Sequence, residues 1–89
     1  MGRKLARSDY IRIKKNIIKK LYTHQAFSKG HMLYERLHSG IPAHLAGFVG
    51  HVLDELLKEE IVLHYGKTKH GDAYQLNIKK LEEIEKIIF

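Results

Sequence analysis

Lysine and arginine dominate the first half of the chain, and their side chains are suited to binding phosphate groups. The 89 residues include 16 Lys and Arg against 10 Asp and Glu, which gives a net charge of +6 at pH 7. Within residues 1–41 only Asp9 and Glu35 oppose this positive charge. The candidate phosphate ligands of this stretch are Arg3, Lys4, Arg7, Arg12, Lys15 and Lys19. Such a cluster attracts nucleic acid, although the same residues could form no more than a solvated helix face.

The seven histidines raise the question of a metal site. His24, His31 and His38 follow one another at intervals of seven residues. Seven residues of helix rise about 10.5 Å, whereas the ligands of one zinc ion each lie about 2 Å from the metal. No two histidines have the i, i+4 spacing, and the chain has no Cys. We therefore expect neither a metal nor another cofactor.

The sequence offers no recognisable catalytic set. Its few Ser and Asp residues are scattered, and they predict no nucleophile–base pair or carboxylate dyad, so we expect no enzymatic activity. The absence of Cys is consistent with a reducing cytoplasm. The basic start MGRKLAR leads into IRIKKNIIKKL instead of an apolar signal sequence, and no stretch approaches the roughly 20 apolar residues of a membrane span. We expect a cytoplasmic protein with a single domain, residues 1–89.

The predicted secondary structure is clearest between Gly40 and Asn77, where the period of the apolar residues changes. Before Glu60 the apolar residues recur at helical spacing, which predicts an amphipathic helix. Its predicted buried residues are Val49, Val52, Leu53, Leu56 and Leu57. After Glu60 the pattern alternates, with Ile61, Leu63 and Tyr65 on one side of a strand and Val62 and His64 on the other. Tyr74, Leu76 and Ile78 repeat the alternation, which predicts a hairpin with Lys67-Thr68-Lys69-His70 as its tip.

Two further helices are predicted before this segment and one after it. The first begins at Ser8 as N-cap and ends near His24, and its buried residues are Ile11, Ile17, Ile18, Leu21 and Tyr22. A connection over residues 26–30, with a short strand through Phe27 as an alternative, leads to a second helix. That helix has Ser28 as its cap and ends at Ser39-Gly40, and its apolar residues are Met32, Leu33 and Leu37. The last helix covers residues 78–89, with Ile78, Leu81, Ile84 and Ile88 in line.

The order helix, helix, turn, helix, hairpin resembles the winged helix-turn-helix family. The segment VGHVLDELLKEEIV is similar to the end of that family's recognition helix and the entry into its first wing strand. Ile41 resembles the apolar residue of its turn, and YGKTKHGDAYQLN resembles its wing. The resemblance implies an α+β fold, mostly α, with a three-helix core, a two-stranded β-hairpin wing and a C-terminal helix.

The resemblance also implies a mode of DNA binding. In such proteins the beginning of the third helix enters the major groove, and the wing touches phosphates or the minor groove. By that resemblance His44, Gly47 and His51 face the groove. Lys67, Lys69 and His70 lie on the wing. The third helix has no Arg, Lys, Asn or Gln before Lys58, and these are the side chains that read bases. Binding is therefore expected to depend mainly on phosphates.

These observations predict a small, non-enzymatic, cytoplasmic protein of prokaryotic type that binds double-stranded DNA. It would act as a transcription regulator or as a chromosomal architectural factor. Two alternatives stay open, an RNA- or ribosome-associated winged helix and a protein-interaction module. The last helix could cover the first helix of its own subunit or pair with its copy in a homodimer. No membrane contact is expected.

Overall fold

The computed structural model describes residues 4–89, so the candidate ligand Arg3 lies outside the described residues. The fold is α+β, with three α-helices and a three-stranded antiparallel sheet. The helices are α1 (Arg7–Thr23), α2 (Val49–Lys58) and α3 (Leu81–Ile88), and the strands are β1 (Met32–Leu33), β2 (Val62–Thr68) and β3 (Gly71–Leu76). Three 3-10 segments connect them, η1 (Tyr34–His38), η2 (Ala43–Phe48) and η3 (Ile78–Lys80).

Helix α1 runs through the centre of the fold and packs against α2, α3 and β3. Its fully buried residues are Ile13, Ile17, Ile18 and Leu21, and spacings of three and four residues place them on one face. The prediction that Ile11 belongs to this face is wrong, since its side chain is 42% exposed. Ile11 precedes Ile13 by two residues, which turns its side chain away from the core.

The beginning of α1 also differs from the prediction. The helix begins at Arg7, and Ala6 occupies the N-cap position without a side-chain hydrogen bond. Ser8 therefore lies inside the helix and does not cap it. Asp9 is in the first turn, where a carboxylate is favourable for the helix dipole.

The predicted second helix does not form. Met32 and Leu33 instead form β1, in which they pair with Tyr74 and Ala73 of β3, and only the five residues of η1 are helical, with 3-10 geometry. Ser28, the predicted cap, has a φ of 58°, whereas an N-cap residue is normally extended. Long-range strand pairing has thus overridden the local helical pattern.

The third helix is present as a 3-10 segment, η2, that continues directly into α2. Its predicted buried face is largely confirmed, because Val49, Val52, Leu53 and Leu56 are buried. Leu57 is only half-buried, at the edge of that face.

The predicted hairpin is confirmed, but it carries an irregularity and a third strand. Strands β2 and β3 extend to Thr68 and Gly71, so that only Lys69 and His70 form the turn. The register shifts between His64 and Gly66, which leaves Tyr65 as the extra residue of a β-bulge. The third strand, β1, was predicted as part of a helix, and it pairs with β3 to give the order β1-β3-β2.

The chain leaves the sheet after Leu76. Asn77 Oδ1 accepts a hydrogen bond from the Lys79 amide at 3.1 Å and so caps η3. Ile78 lies in that 3-10 turn and is 52% exposed, contrary to its predicted place on the alternating strand face and in the last helix. Helix α3 packs on α1 through the buried Ile84. None of the helices in residues 4–89 has the length and apolarity that crossing a membrane requires.

Candidate nucleic-acid interface

The outer face of α1 carries three exposed cations, Arg12, Lys15 and Lys19. Spacings of three and four residues put them on the side of the helix away from Ile13 and Ile17. The three side chains line one shallow depression. Within residues 4–89 none of the three forms an ion pair or a side-chain hydrogen bond, so their charges are available to a ligand.

Two other lysines of α1 are engaged within the fold. Lys14 pairs with Glu59 at an N–O distance of 3.5 Å. The Lys20 amine donates to the Leu37 carbonyl at 2.9 Å and also to the Ser39 carbonyl, both at the end of η1. Burial lowers the pKa of Lys20. These two lysines therefore join α1 to its neighbours, and the outer face provides the free cations.

The positive surface continues from α1 toward the sheet. Lys19 lines a second depression together with His24, and His24 lines a third depression together with His31 and Arg36. We call the continuous surface of these residues the basic strip: Arg12, Lys15, Lys19, His24, His31 and Arg36. Among the described residues no Asp or Glu lines any of the three depressions.

The basic strip reaches the hairpin through a pair of stacked rings. The His31 and Tyr65 rings lie 4.3 Å apart with an interplanar angle of 16°. Beyond Tyr65 the hairpin presents Lys67, Lys69 and His70, all three exposed. The stacked rings thus connect the basic strip to the hairpin.

Lys67 shares its face of the hairpin with a carboxylate, Asp72. His64 Nε2 and Asp72 Oδ1 lie 3.0 Å apart, and Asp72 is directly opposite Lys67 in the β2–β3 register. Burial raises the pKa of Tyr74, and Asp72 adds to this effect. Lys69 and His70 in the turn are therefore the residues of the hairpin best placed for phosphate contact.

The predicted groove-facing residues lie elsewhere. His44 and Gly47 are exposed on η2, and His51 is exposed on α2. The exposed face of α2 also carries Asp54 and the ion pair between Lys58 and Glu55, whose N–O distance is 3.6 Å. Asp54 and Glu55 outnumber Lys58, so this face has a net negative charge, and the positive charge is concentrated on the basic strip.

His51 lies near the beginning of α1, with its ring centroid 6.4 Å from that of Tyr10. Burial raises the pKa of Tyr10, and the carboxylates of Glu59 and Glu55 raise it further. Lys4 and Arg7 are exposed at this end of the chain. Carboxylates therefore surround the predicted recognition surface on its α2 side.

Four residues of the interface were not selected from the sequence: His24, His31, Arg36 and Tyr65. The spacing of the histidines raises the question of a metal site and does not predict this interface. No group of three His, Asp or Glu side chains capable of holding a metal occurs in the described part of the chain. The contacts join residues far apart in the sequence, and no local pattern signals such contacts.

An apolar groove of about 590 Å³ lies beside the basic strip. Tyr22, Phe27, Ile88 and Phe89 provide its apolar lining, and Lys19 lies at its edge. The groove and the basic strip therefore share a residue. Comparison with known protein families, with curated proteins and with solved structures found no match for this chain.

Proposed function

We propose that this protein is a small, non-enzymatic nucleic-acid-binding protein of the winged helix-turn-helix type, whose basic strip contacts the phosphate backbone. The observation that carries the proposal is the set of three unpaired cations on the outer face of α1, Arg12, Lys15 and Lys19. They span seven residues, or about 10 Å of helix, which corresponds to roughly three nucleotide steps at 3.4 Å each.

The winged-helix assignment is supported by the order of the elements. Helix α1 is followed by η1, by a turn at Ile41-Pro42, by the continuous η2–α2 helix and by the hairpin. In this proposal η1 takes the place of the family's second helix, and α2 that of its recognition helix. The hairpin is then the wing, with Lys69 and His70 at its tip.

Double-stranded DNA is the proposed target, and an architectural role is favoured over site-specific regulation. Sequence-specific reading of the major groove depends on Arg, Lys, Asn or Gln side chains that reach base edges. The exposed face of α2 carries His51 beside Asp54 and Glu55, and carboxylates repel the phosphates on either side of a groove. Binding through phosphates alone has little sequence preference. The proposed setting is the cytoplasm.

Structured RNA is the second candidate, and the net negative charge on the exposed face of α2 favours it. A protein that contacts phosphates along α1 does not need to insert α2 into a DNA major groove. The major groove of RNA is in any case too narrow for side chains to read.

A homodimer through α1 and α3 would cover the apolar groove beside the basic strip. Since Lys19 borders both surfaces, dimer formation and phosphate binding would compete for this residue. The third candidate, a protein-interaction module, would use the same groove.

The salt dependence of binding tests the proposal. Replacement of Lys15 and Lys19 by Ala should flatten the slope of log K against log salt by roughly 2, because each phosphate contact contributes about 0.9 to the slope. Fluorescence anisotropy with duplex DNA and with a structured RNA gives the slopes. The matched control replaces Lys79 and Lys86, which are exposed and lie beside Glu82 and Glu83. Equal slopes for both double variants would show that the basic strip does not contact the phosphates.

A second pair of variants tests the role of α2. Both His44 and His51 are exposed, so Ala at either position should leave stability unchanged. If the beginning of the η2–α2 helix enters a groove, both variants should bind DNA more weakly, because each removes an exposed imidazole that can hydrogen-bond a phosphate or a base edge. Unchanged binding would show that this helix does not read DNA, and would favour RNA or a protein partner.

A further inference from the structure

Tyr65 is the extra residue of the β-bulge in β2, and its side chain is exposed. The residue has no partner in the β2–β3 register, and a bulge redirects a side chain relative to the regular strand. Its aromatic side chain remains 45% exposed. The exposed part of the ring is available for contact with other groups.

The only ring contact of Tyr65 in the described chain is the stack with His31. The centroid separation of 4.3 Å and the small interplanar angle of 16° make the two rings a nearly parallel pair. Both residues are exposed. A flat aromatic surface of this kind is what an unpaired base uses for stacking.

One face of the sheet carries a small, fully buried residue on its central strand. Ala73 is fully buried but does not belong to the main hydrophobic core cluster. In the strand register it is opposite Leu33 on one side and Gly66 on the other, so the three residues share one face of the sheet. Between Leu33 and Gly66 the central strand thus presents only the Ala73 side chain on this face.

The loop before His31 is held in place. A Cβ atom at Gly30 would collide with the Gln25 carbonyl, so only Gly fits there. With its amide nitrogen turned toward this loop, Gln75 donates to the Ser28 carbonyl at 2.7 Å and to the Gly30 carbonyl at 3.2 Å. His31 is therefore preorganised on the sheet, and this lowers the entropic cost of binding a ligand.

The charges on either side of the rings are those that a nucleic-acid backbone requires. His31 borders the depression that contains His24 and Arg36, and the exposed Lys69 and His70 form the hairpin turn beyond Tyr65. Asp72, the carboxylate of β3, is engaged by His64 at 3.0 Å. A strand that follows the basic strip toward the wing would pass across the rings.

We propose that the His31–Tyr65 pair binds an unpaired base by stacking, in a single strand or loop whose phosphates follow the basic strip. The inference rests on the proposed function and adds to it a ligand class, nucleic acid with unpaired bases. The chemistry is common to DNA and RNA, because every base has a flat aromatic face.

Tyr65→Leu and Tyr65→Phe variants test the stack. Loss of the ring in Tyr65→Leu should weaken binding of a 12-residue oligothymidylate or oligouridylate about 5- to 150-fold, the range for removal of one base–aromatic stack. Binding of a blunt duplex should not change, and Tyr65→Phe should bind single strands like the parent protein. The control is Phe89→Leu, which removes a ring that is 82% exposed outside the pair. Comparison of the two oligonucleotides assigns the ligand to DNA or RNA.

A spectroscopic test is available because the chain has no Trp. A Tyr65→Trp variant would carry a single indole, and addition of the oligonucleotide should quench its emission more strongly than addition of the duplex does. Equal quenching by both would overturn the stacking proposal.

Two results for Tyr65→Leu would also overturn it. One is unchanged affinity for single strands while the Lys15/Lys19 variant still flattens the salt slope, which would leave the proposed function intact. The other is an equal loss of affinity for duplex and single strand together with a lower unfolding temperature. That result would show that the rings only stabilise the hairpin. Failure of the proposed function itself is recognised separately, by an unchanged salt slope in the Lys15/Lys19 variant.

Discussion

Four lysines of α1 occur within a few residues of one another, yet they have different partners. Lys14 contacts Glu59 and Lys20 contacts carbonyl groups of η1. Lys15 and Lys19 are exposed and make neither contact. Net charge counts all four equally, but only the last two can lose counterions and gain phosphate contacts without breaking a bond inside the fold.

Leucines on one helix also differ in their environment, and the burial of Leu53 gives a stability prediction. Its side chain is 2% exposed in the core, so Leu53→Ala should lower the free energy of unfolding by about 2–5 kcal/mol. Urea denaturation measures the loss. Leu57→Ala is the matched control, since Leu57 is on the same helix but only half-buried. Equal losses for the two variants would contradict the assigned core face of α2.

In the proposed mode of binding the hairpin is an accessory contact, and its turn has its own local stabilisation. Thr68 Oγ1 accepts a hydrogen bond from the His70 amide at 3.1 Å and donates to the Gly71 carbonyl at 2.8 Å. These bonds hold a two-residue turn whose side chains are exposed. The turn can therefore present Lys69 to a phosphate without a contribution from the core.

Charge reversal in the hairpin should affect binding without affecting the fold. Lys67→Glu with Lys69→Glu is expected to weaken binding to all nucleic-acid sequences about equally, since phosphate contacts carry no sequence information. Anisotropy with several duplexes measures the affinities, and circular dichroism checks the fold. Lys79→Glu with Lys86→Glu is the control of equal charge. Loss of discrimination between sequences with retained general affinity would show that the wing reads bases.

Over the whole molecule α1 is held by polar contacts at three places. Glu59 after α2 pairs with Lys14, the end of η1 binds Lys20, and Glu85 of α3 accepts a hydrogen bond from the Tyr22 hydroxyl at 2.8 Å. These contacts surround a continuous apolar core to which helices and sheet all contribute. On the outer face of α1 the neighbouring residue of α3 is the apolar Ile88, which offers no charge to Arg12, Lys15 or Lys19.

The Tyr22–Glu85 bond predicts a pH dependence of stability. The hydrogen bond to Glu85 is the main cause that raises the pKa of Tyr22, and burial adds to it. A folded-state pKa above the unfolded value of about 10 means that the stabilisation is complete below pH 10 and is lost as the pH rises through the raised pKa. The stability difference between the parent protein and Tyr22→Phe should therefore shrink above pH 10 in denaturant titrations. A constant difference from pH 8 to 11 would contradict this role.

The sequence by itself determined the elements with strong and regular patterns. Helix α1, the core face of α2 and the β2–β3 hairpin follow from apolar residues at helical spacing or in alternation. The free cations at Arg12, Lys15 and Lys19 were also selected correctly as an exposed group, since polar residues on an amphipathic helix face solvent. These properties are local, and neighbouring residues suffice to specify them.

Only the tertiary structure decided the remaining features, because they depend on residues distant in the chain. Met32 and Leu33 become a strand through pairing with β3, and a pattern of neighbouring residues cannot report that partner. Ile11 and Ile78 are exposed because no element within residues 4–89 covers them. His31 and Tyr65 meet across the sheet, although 34 positions separate them in the sequence. Hydrogen bonding between strands and the burial of side chains against distant elements are long-range effects. They outweigh local propensities.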